Sequence, residues 1–329
     1  MSPIGKGPMT NSFGFDFRSL EAFVLTCKRG SMAAAAQRLG MTQPAVSQII
    51  KGLETSLGVA LVDRSHRPLL LTASGIFLRE AAEHLLAEAQ RIPSRLREIE
   101  GGFPPSLRVG LVESLASPFV PNLISSLQPA LQTLSVAAGL AHTLREAFLD
   151  FQFDIIITND PSDDLNGVVR HTILTEPYIL IVPESVAETD EELDLGTLSR
   201  TLDLVRWSAR SRNGAEIEQH LRRLRIEIPR RFEFDSSDTL VGIVAAGLSW
   251  AVLTPLCLVN SISRLGSARA LPFPGPKFYR KLTIISRAGE LDKVAERLAH
   301  TSRKILREKY LPAMLRVGPW LGDQITLDQ

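Results

Sequence analysis

The chain of 329 residues holds only two cysteines, Cys27 and Cys257, far apart in sequence. This scarcity excludes a disulfide framework and a cysteine-based metal site, and it fits a reducing, cytoplasmic compartment. Aromatic residues make up 6% and the formal net charge is +1, so the molecule as a whole carries no electrostatic mark of a nucleic-acid or membrane binder. His, Cys and acidic residues nowhere fall at metal-ligand spacing, and no glycine-rich phosphate loop follows a strand. Ser114 and Ser208 lack the setting of a nucleophile elbow. Neither a cofactor nor intrinsic catalysis is expected. Residues 1–12 are rich in Gly, Pro and Ser without an apolar centre, which reads as a disordered lead to about residue 15 and not as a signal peptide. The longest uncharged run, Thr239 to Ser263, is broken by Gly247, Ser249, Thr254 and Pro255 into a helix, a turn, a strand and a helix start. It reads as a buried α/β unit and not as a membrane span.

What the chain does hold is core: 44% apolar and 22% charged residues suit a protein of two or three modules. The informative stretch is Ser31 to Glu54. Ser31 is a good N-cap for a short alanine-rich helix that Gly40 stops. Thr42 is the expected N-cap of a second helix, its hydroxyl accepting from the Ala45 amide, with Pro44 in the first turn where a missing amide is harmless. Two helices joined by so short a turn make a helix-turn-helix. Val46, Ile50, Leu53 and Leu57 form the buried stripe of the second helix, which leaves Gln43, Ser47 and Lys51 one turn apart on the other face. Amide, hydroxyl and ammonium groups suit base edges and phosphates of the major groove; a solvated surface is the plainer reading of the same face. Between Phe17 and Arg67 seven Lys or Arg face three acids, a local surplus of +4 that supports a DNA footprint only in company with the motif.

The flanking patterns agree. An amphipathic helix precedes the motif with apolar Phe17, Leu20, Phe23, Val24 and Cys27, the cysteine reading as a core residue. Apolar runs at 59–62 and 69–71 bracket a basic tip with Arg64, His66 and Arg67, a two-stranded wing whose cations could hold phosphates. Thr72 caps a long helix with a seam at Leu78, Ala82, Leu85, Ala89, Ile92, Leu96 and Ile99 that needs a partner surface. Pro93 should kink that helix or end it at Ile92.

Phe17 to Gly75 resembles the DNA-binding domain of LysR-type transcriptional regulators. The matching residues are Leu20-Glu21-Ala22-Phe23, Gly30-Ser31, Ala35-Ala36-Gln37-Arg38-Leu39, Thr42-Gln43-Pro44-Ala45-Val46-Ser47, Leu53-Glu54, Leu57-Gly58, Leu61, Arg64, Arg67 and Leu71-Thr72. The resemblance implies that Ser31, Thr42, Gln43, Pro44, Ser47, Lys51, Arg64 and Arg67 contact double-stranded DNA. It also implies that the long helix pairs two subunits, giving a homodimer and then a homotetramer. RNA polymerase is a further candidate partner. Gln48 and Gly52 depart from a pattern often basic there.

From Leu107 onward short apolar runs alternate with helical stretches: 107–112, 134–139, 154–158, 178–182, 202–207, 232–235, 248–253 and 281–286. The alternation predicts a largely parallel, doubly wound α/β architecture. In order, Leu107-Arg108-Val109-Gly110, Phe153 to Ile157, Pro177 to Pro183, Val244 to Leu248 and Pro255 resemble the same family's effector-binding domain, two α/β subdomains like a periplasmic binding protein with two crossover strands. The fold class expected is therefore α/β overall, with an N-terminal winged helix-turn-helix (16–72), a linker helix (73–100), a hinge (101–106) and an effector-binding domain (107–312). Its subdomains span 107–182 with 273–312, and 183–272; a tail follows at 313–329. Ligands of open α/β sheets bind beyond the strand ends near helix N-termini. The matching positions are Ser114, Ser117, His142, Thr143, Ser208, Arg210, Ser211 and Ser236, with Arg210 the expected cation. Ala141 and Ser249-Trp250 depart from the family, so the effector could be a carboxylate or, near Trp207 or Trp250, an aromatic molecule. The function so implied is a sequence-specific transcriptional regulator responsive to a small-molecule effector. The alternatives are an effector-independent regulator controlled by a partner protein, and an α/β solute-binding protein with an appended winged helix.

Overall fold

The computed structural model describes residues 13–63, 70–99, 106–127, 133–187 and 193–327. Residues 1–12 of the expected lead, the wing tip with Arg64, His66 and Arg67, and residues 101–105 of the hinge lie outside them. The chain divides into two compact units, Met1–Pro93 and Ser94–Gln329.

In the first unit, α1 (Phe17–Arg29), α2 (Met32–Leu39) and α3 (Gln43–Leu57) precede the two-stranded β1 (Val62–Asp63) and β2 (Leu70–Leu71) and the start of α4 (Ala73–Ile99). The Asp16 carboxylate accepts from the Ser19 amide at 2.7 Å and the Ser19 hydroxyl accepts from the Asp16 amide at 3.1 Å, a reciprocal cap for α1. Gly30 and Gly40 end α1 and α2 in the left-handed region. Leu20, Phe23, Val46, Ile50 and Leu53 form one core, whereas Leu57 and Cys27 are half-buried. Burial pushes the Cys27 thiol up to about 11, which keeps it protonated at neutral pH. Glu54 reaches from α3 to the wing, its Oε1 accepting from the amides of Leu61 (2.9 Å) and Val62 (3.3 Å). Thr72 caps α4 through the Gly75 amide at 3.0 Å, as expected. Of the two expectations at Pro93, an end at Ile92 does not hold: the helix continues to Ile99, because a helix of 27 residues can forgo one hydrogen bond and keep its neighbouring turns. The seam serves two purposes. Leu78 and Ala82 pack into the unit's own core, while Leu85, Ile92 and Leu96 remain 46%, 56% and 59% exposed.

The second unit contains two five-stranded sheets. The first is built from β3 (Ser106–Val112), β4 (Thr133–Gly139), β5 (Ile155–Thr158), β6 (Val168–Pro177) and, much later, β12 (Tyr279–Arg287), in the order β4-β3-β5-β12-β6. Helices α5 (Glu113–Leu127) and α6 (Ala141–Leu149) provide its crossovers. The second sheet uses β7 (Ile179–Val182), β8 (Asp203–Trp207), β9 (Phe232–Phe234), β10 (Ser249–Leu253) and β11 (Arg269–Pro272), in the order β11-β7-β10-β8-β9. Between them come α7 (Glu184–Ala187), α8 (Leu195–Thr201), α9 (Arg212–Arg223), α10 (Ser237–Ala245) and α11 (Pro255–Asn260); α12 (Asp292–Ile305) and α13 (Leu311–Val317) follow β12. The uncharged run 239–263 thus divides as expected, and no described helix is long and apolar enough to cross a membrane.

Three expectations change. The sheets are not largely parallel: β12 lies antiparallel to β5 and β6, and β7 antiparallel to β10 and β11. Alternation of strand and helix cannot reveal β6, which follows β5 without an intervening helix, or β11, which is four residues long. Residues 179–182, expected in the first subdomain, pair in the second sheet. The expected tail packs instead of trailing: Met314 and Leu321 are buried, and the Thr175 and Thr326 backbones exchange hydrogen bonds of 2.8 and 2.9 Å.

Two crossings join the sheets, one between β6 and β7 at Tyr178, the other between β11 and β12 through Phe278. The Tyr178 amide donates to the Phe278 carbonyl at 3.1 Å, and the two rings stack at 4.4 Å. His220 stacks on the far face of this pair, 3.9 Å from the Phe278 ring. Burial, assisted by Arg223, lowers its pKa, so the ring is neutral at pH 7.

Beside the crossings lies an ion pair with no access to water: Arg280 is 1% exposed and Glu176 0%. They are cross-strand neighbours on β12 and β6, with Nε to Oε1 at 2.9 Å. The other carboxylate oxygen accepts from the Leu256 amide at 2.8 Å, in the first turn of α11. Burial alone would pull the Arg280 pKa down, but the Glu176 carboxylate more than offsets this and the net direction is upward, so the guanidinium stays charged.

Two substitutions test these packing arguments. A Cβ on Gly75 would lie 2.0 Å from the Leu61 carbonyl oxygen, so Gly75→Ala should destabilise the N-terminal unit by roughly 1–3 kcal/mol in urea unfolding. Glu176→Gln, which leaves a buried guanidinium without its counter-charge, should cost the second unit about 3–5 kcal/mol. A loss below about 1 kcal/mol would mean that water reaches Arg280.

Candidate functional sites

On α3 the residues Gln43, Pro44 and Lys51 are exposed and Ser47 is half-buried, while Val46, Ile50 and Leu53 face inward. The helix therefore offers an amide, a hydroxyl and an ammonium on one side, held by an apolar anchor on the other. Neither cap hydroxyl behaves as expected. Ser31 and Thr42 have the extended backbone of N-caps, yet neither side chain accepts from a helix amide. Thr42 is exposed, so solvent can serve the Ala45 amide in its place, and the first turn is secured by the Val46 amide donating to the Thr42 carbonyl at 3.2 Å. Both hydroxyls are left without a bond inside the helix. An open groove of about 590 Å³ runs between the start of α1 and α3, floored by Ile49 and Leu53 and passing Gln48 and Gly52. Arg64 and Arg67 fall outside the described residues.

The second unit holds a cleft of about 430 Å³ at the carboxyl ends of β3, β4, β8 and β9. Its walls are the starts of four helices: Glu113, Ser114 and Ala116 of α5, Leu140 and Ala141 at α6, Ser211, Arg212 and Asn213 at α9, and Ser236, Ser237 and Asp238 at α10. Their amides give this space a partial positive character. Asn159, Trp207, Asp235, Asn260 and Arg280 complete it.

Of the expected effector residues, Ser114, Ser211 and Ser236 line this cleft. Ser114 Oγ accepts from Arg280 at 3.3 Å. Ser211 caps α9 by accepting from the Gly214 amide at 2.9 Å, so its hydroxyl already has a structural partner. The Ser117 side chain is not among those described, and the cleft walls do not include the rest. His142 and Thr143 lie on the exposed side of α6, where the Thr143 hydroxyl donates to the Leu140 carbonyl at 2.8 Å. Ser208 is half-buried behind the loop. Arg210, the expected cation, is 74% exposed and sits 3.5 Å from Asp235, the ordinary surface pairing. Trp207 lines the cleft with its Nε1 committed to the Val252 carbonyl at 3.1 Å; Trp250 is buried elsewhere.

Sequence reasoning missed the polar groups that span the cleft. Asn159 Nδ2, after β5, donates to Asn213 Oδ1 on α9 at 2.9 Å. The Tyr178 hydroxyl, kept protonated by burial and by the nearby Glu216 carboxylate, donates to Glu216 at 2.7 Å with Asn213 Oδ1 at 3.3 Å. Asn260 Nδ2 donates to the Ser114 carbonyl, whereas its buried Oδ1 has no donor. Only Arg280 carried a signal: period-two alternation puts it on the same face of β12 as Leu282 and Ile284.

Comparison with known proteins agrees with this geometry. Residues 17–76 match the family model described as bacterial regulatory helix-turn-helix protein, lysR family, and residues 100–307 match the LysR substrate binding domain. A probable hydrogen peroxide-inducible genes activator of Streptomyces viridosporus is 26% identical over 306 residues, 88% of this chain and 94% of that protein. The transcriptional regulator CfxR of Cupriavidus necator is 27% identical over 242 residues, 72% and 75% of the two chains. Among solved structures, full-length OxyR from Pseudomonas aeruginosa shares the fold with a TM-score of 0.64 at 23% identity, over 96% of this chain and 99% of that one. With both of its halves matched in order, the chain belongs to the LysR family of DNA-binding transcriptional regulators.

Proposed function

We propose that α3 reads operator DNA through Gln43, Ser47 and Lys51, that Ser31, Thr42, Pro44, Arg64 and Arg67 position it on the phosphates, and that a small effector in the cleft alters DNA binding. The observation that carries the effector half is the 430 Å³ cleft itself, open at strand ends and ringed by four helix starts. A regulator controlled only by a partner protein would be expected to fill this space with its own side chains. Ser114, Ser211 and Ser236 from the expected set, together with Asn159, Asn213, Asn260 and Trp207, are the contacts proposed here; Ser117, His142, Thr143, Ser208 and Arg210 are given no direct role. One relative is named for induction by hydrogen peroxide. In this chain the second unit has a single cysteine, Cys257, fully buried, so an internal disulfide switch there lacks its second thiol.

The dimer reading rests on α4, where Leu85, Ile92 and Leu96 stand exposed along a continuous helix. A cytoplasmic homodimer assembling into a homotetramer accounts for that stripe, and RNA polymerase is the partner that a regulator at a promoter would meet.

Two measurements follow. Gln43→Ala and Ser47→Ala should each relax sequence preference by roughly 1–3 kcal/mol, while Arg64→Ala weakens all sequences alike and lowers the salt dependence. If both alanine variants discriminate like wild type in footprint titrations, α3 is not the reader. Leu85→Asp should dissociate the dimer in sedimentation and remove operator binding at physiological salt; an unchanged oligomer would assign the exposed stripe to another role.

A further inference from the structure

We infer that the effector carries a protonated amine. This rests on the cleft being the effector site and concerns the chemical class admitted there. The walls carry three carboxylates, Glu113, Asp235 and Asp238, and two guanidinium groups, Arg212 and Arg280. Both cations are already neutralised by carboxylates outside the lining: Arg212 by Glu216 at 2.9 Å and Arg280 by Glu176. Glu113 and Asp238 have no ion-pair partner among the described residues, and Asp235 has only the exposed contact with Arg210. The field left in the cleft is that of the acids.

The helix starts do not reverse it. Glu113 and Asp238 occupy the first turns of α5 and α10 and so supply those termini with negative charge from within the chain. Ser211 caps α9. α6 begins on Leu140, which has no side-chain acceptor to offer its amides, and Ser236 at the start of α10 makes no side-chain cap bond either. A bare carboxylate would thus find the starts of α6 and α10 without a side-chain cap, the latter beside Asp238, and three acids to repel it. Asn260 is compatible with this: its Oδ1 has no donor among the described residues, and an ammonium group is one source of N–H. A bound metal ion is the other way to satisfy acids, but the described residues include no group of three His, Cys, Asp or Glu placed to hold one. The effector so described is a small molecule with a protonated amine toward α5 and α10 and a hydrogen-bond acceptor toward α6, as in an amino acid.

The test uses full-length Ala116→Cys, whose new thiol stands on the cleft wall, with wild type and its Cys27 and buried Cys257 as background. Two methanethiosulfonate reagents of equal length are compared, one ending in trimethylammonium and one in sulfonate. With each rate divided by the same reagent's rate on free 2-mercaptoethanol, the cationic reagent should be favoured on the order of tenfold, and adding Glu113→Gln with Asp238→Asn should bring this normalised ratio toward unity. Equal normalised rates, or a normalised preference for the anionic reagent, would overturn the proposal whatever ligand is later found. Protection of the thiol is then read with L-lysine against hexanoate and L-phenylalanine against hydrocinnamate. Stronger protection by a deaminated member also overturns it. Protection by the amine without any change in the DNA footprint upholds the ligand class and counts against the regulatory reading.

Discussion

The buried pair of Arg280 and Glu176 sets the terms for the whole second unit. A guanidinium without access to water is tolerable only beside a carboxylate, and that carboxylate is tolerable only because its second oxygen is taken up by the first turn of α11. One interaction thus fixes the register of β6 against β12, the start of a helix that follows β10, and the position of Ser114 at the mouth of the cleft. It also consumes the positive charge that would otherwise face a ligand. The same residue that looks in a lining census like an anion anchor is, by its pairing, part of the scaffold.

The N-terminal unit solves a different problem, presenting a rigid helix from a core of about a dozen side chains. It does so with short-range devices: a reciprocal cap on α1, left-handed glycines after α1 and α2, and Glu54 tying α3 to the wing. The starts of α2 and α3 leave the hydroxyls of Ser31 and Thr42 unspent on their own amides. A helix start whose amides and hydroxyls are not spent on its own caps is suited to donate hydrogen bonds outward, which is the condition for docking against phosphates.

How much of this was legible depended on the range of the interaction. The helix-turn-helix, the wing, the strand positions and the breaks in the 239–263 run were readable because caps, left-handed glycines and apolar periodicity act over a few residues. Thr72 announced α4 correctly, whereas the end at Ile92 that Pro93 suggested does not occur, since local propensity yields to the cooperativity of a long helix. What could not be read were relations between distant segments. Asn159 meets Asn213, and Asn260 meets Ser114, only because the sheets bring strand ends together. An isolated asparagine carries no periodic signal, and Arg210 was favoured because it follows a strand, although its loop turns it outward to Asp235.

The chain has three tryptophans, and their placement has an optical consequence. Trp207 is on the wall of the cleft with its N–H fixed to the Val252 carbonyl, so its indole can neither rotate away nor exchange its hydrogen bond when the space fills. Trp250 is sealed in the interior with its N–H on the Leu202 carbonyl, and Trp320 lies in the short turn beyond α13. Trp207 is the one indole among the wall residues of the cleft, so a change of emission on filling it would report first on that side chain. The protein carries its own gauge of occupancy, with no label to attach.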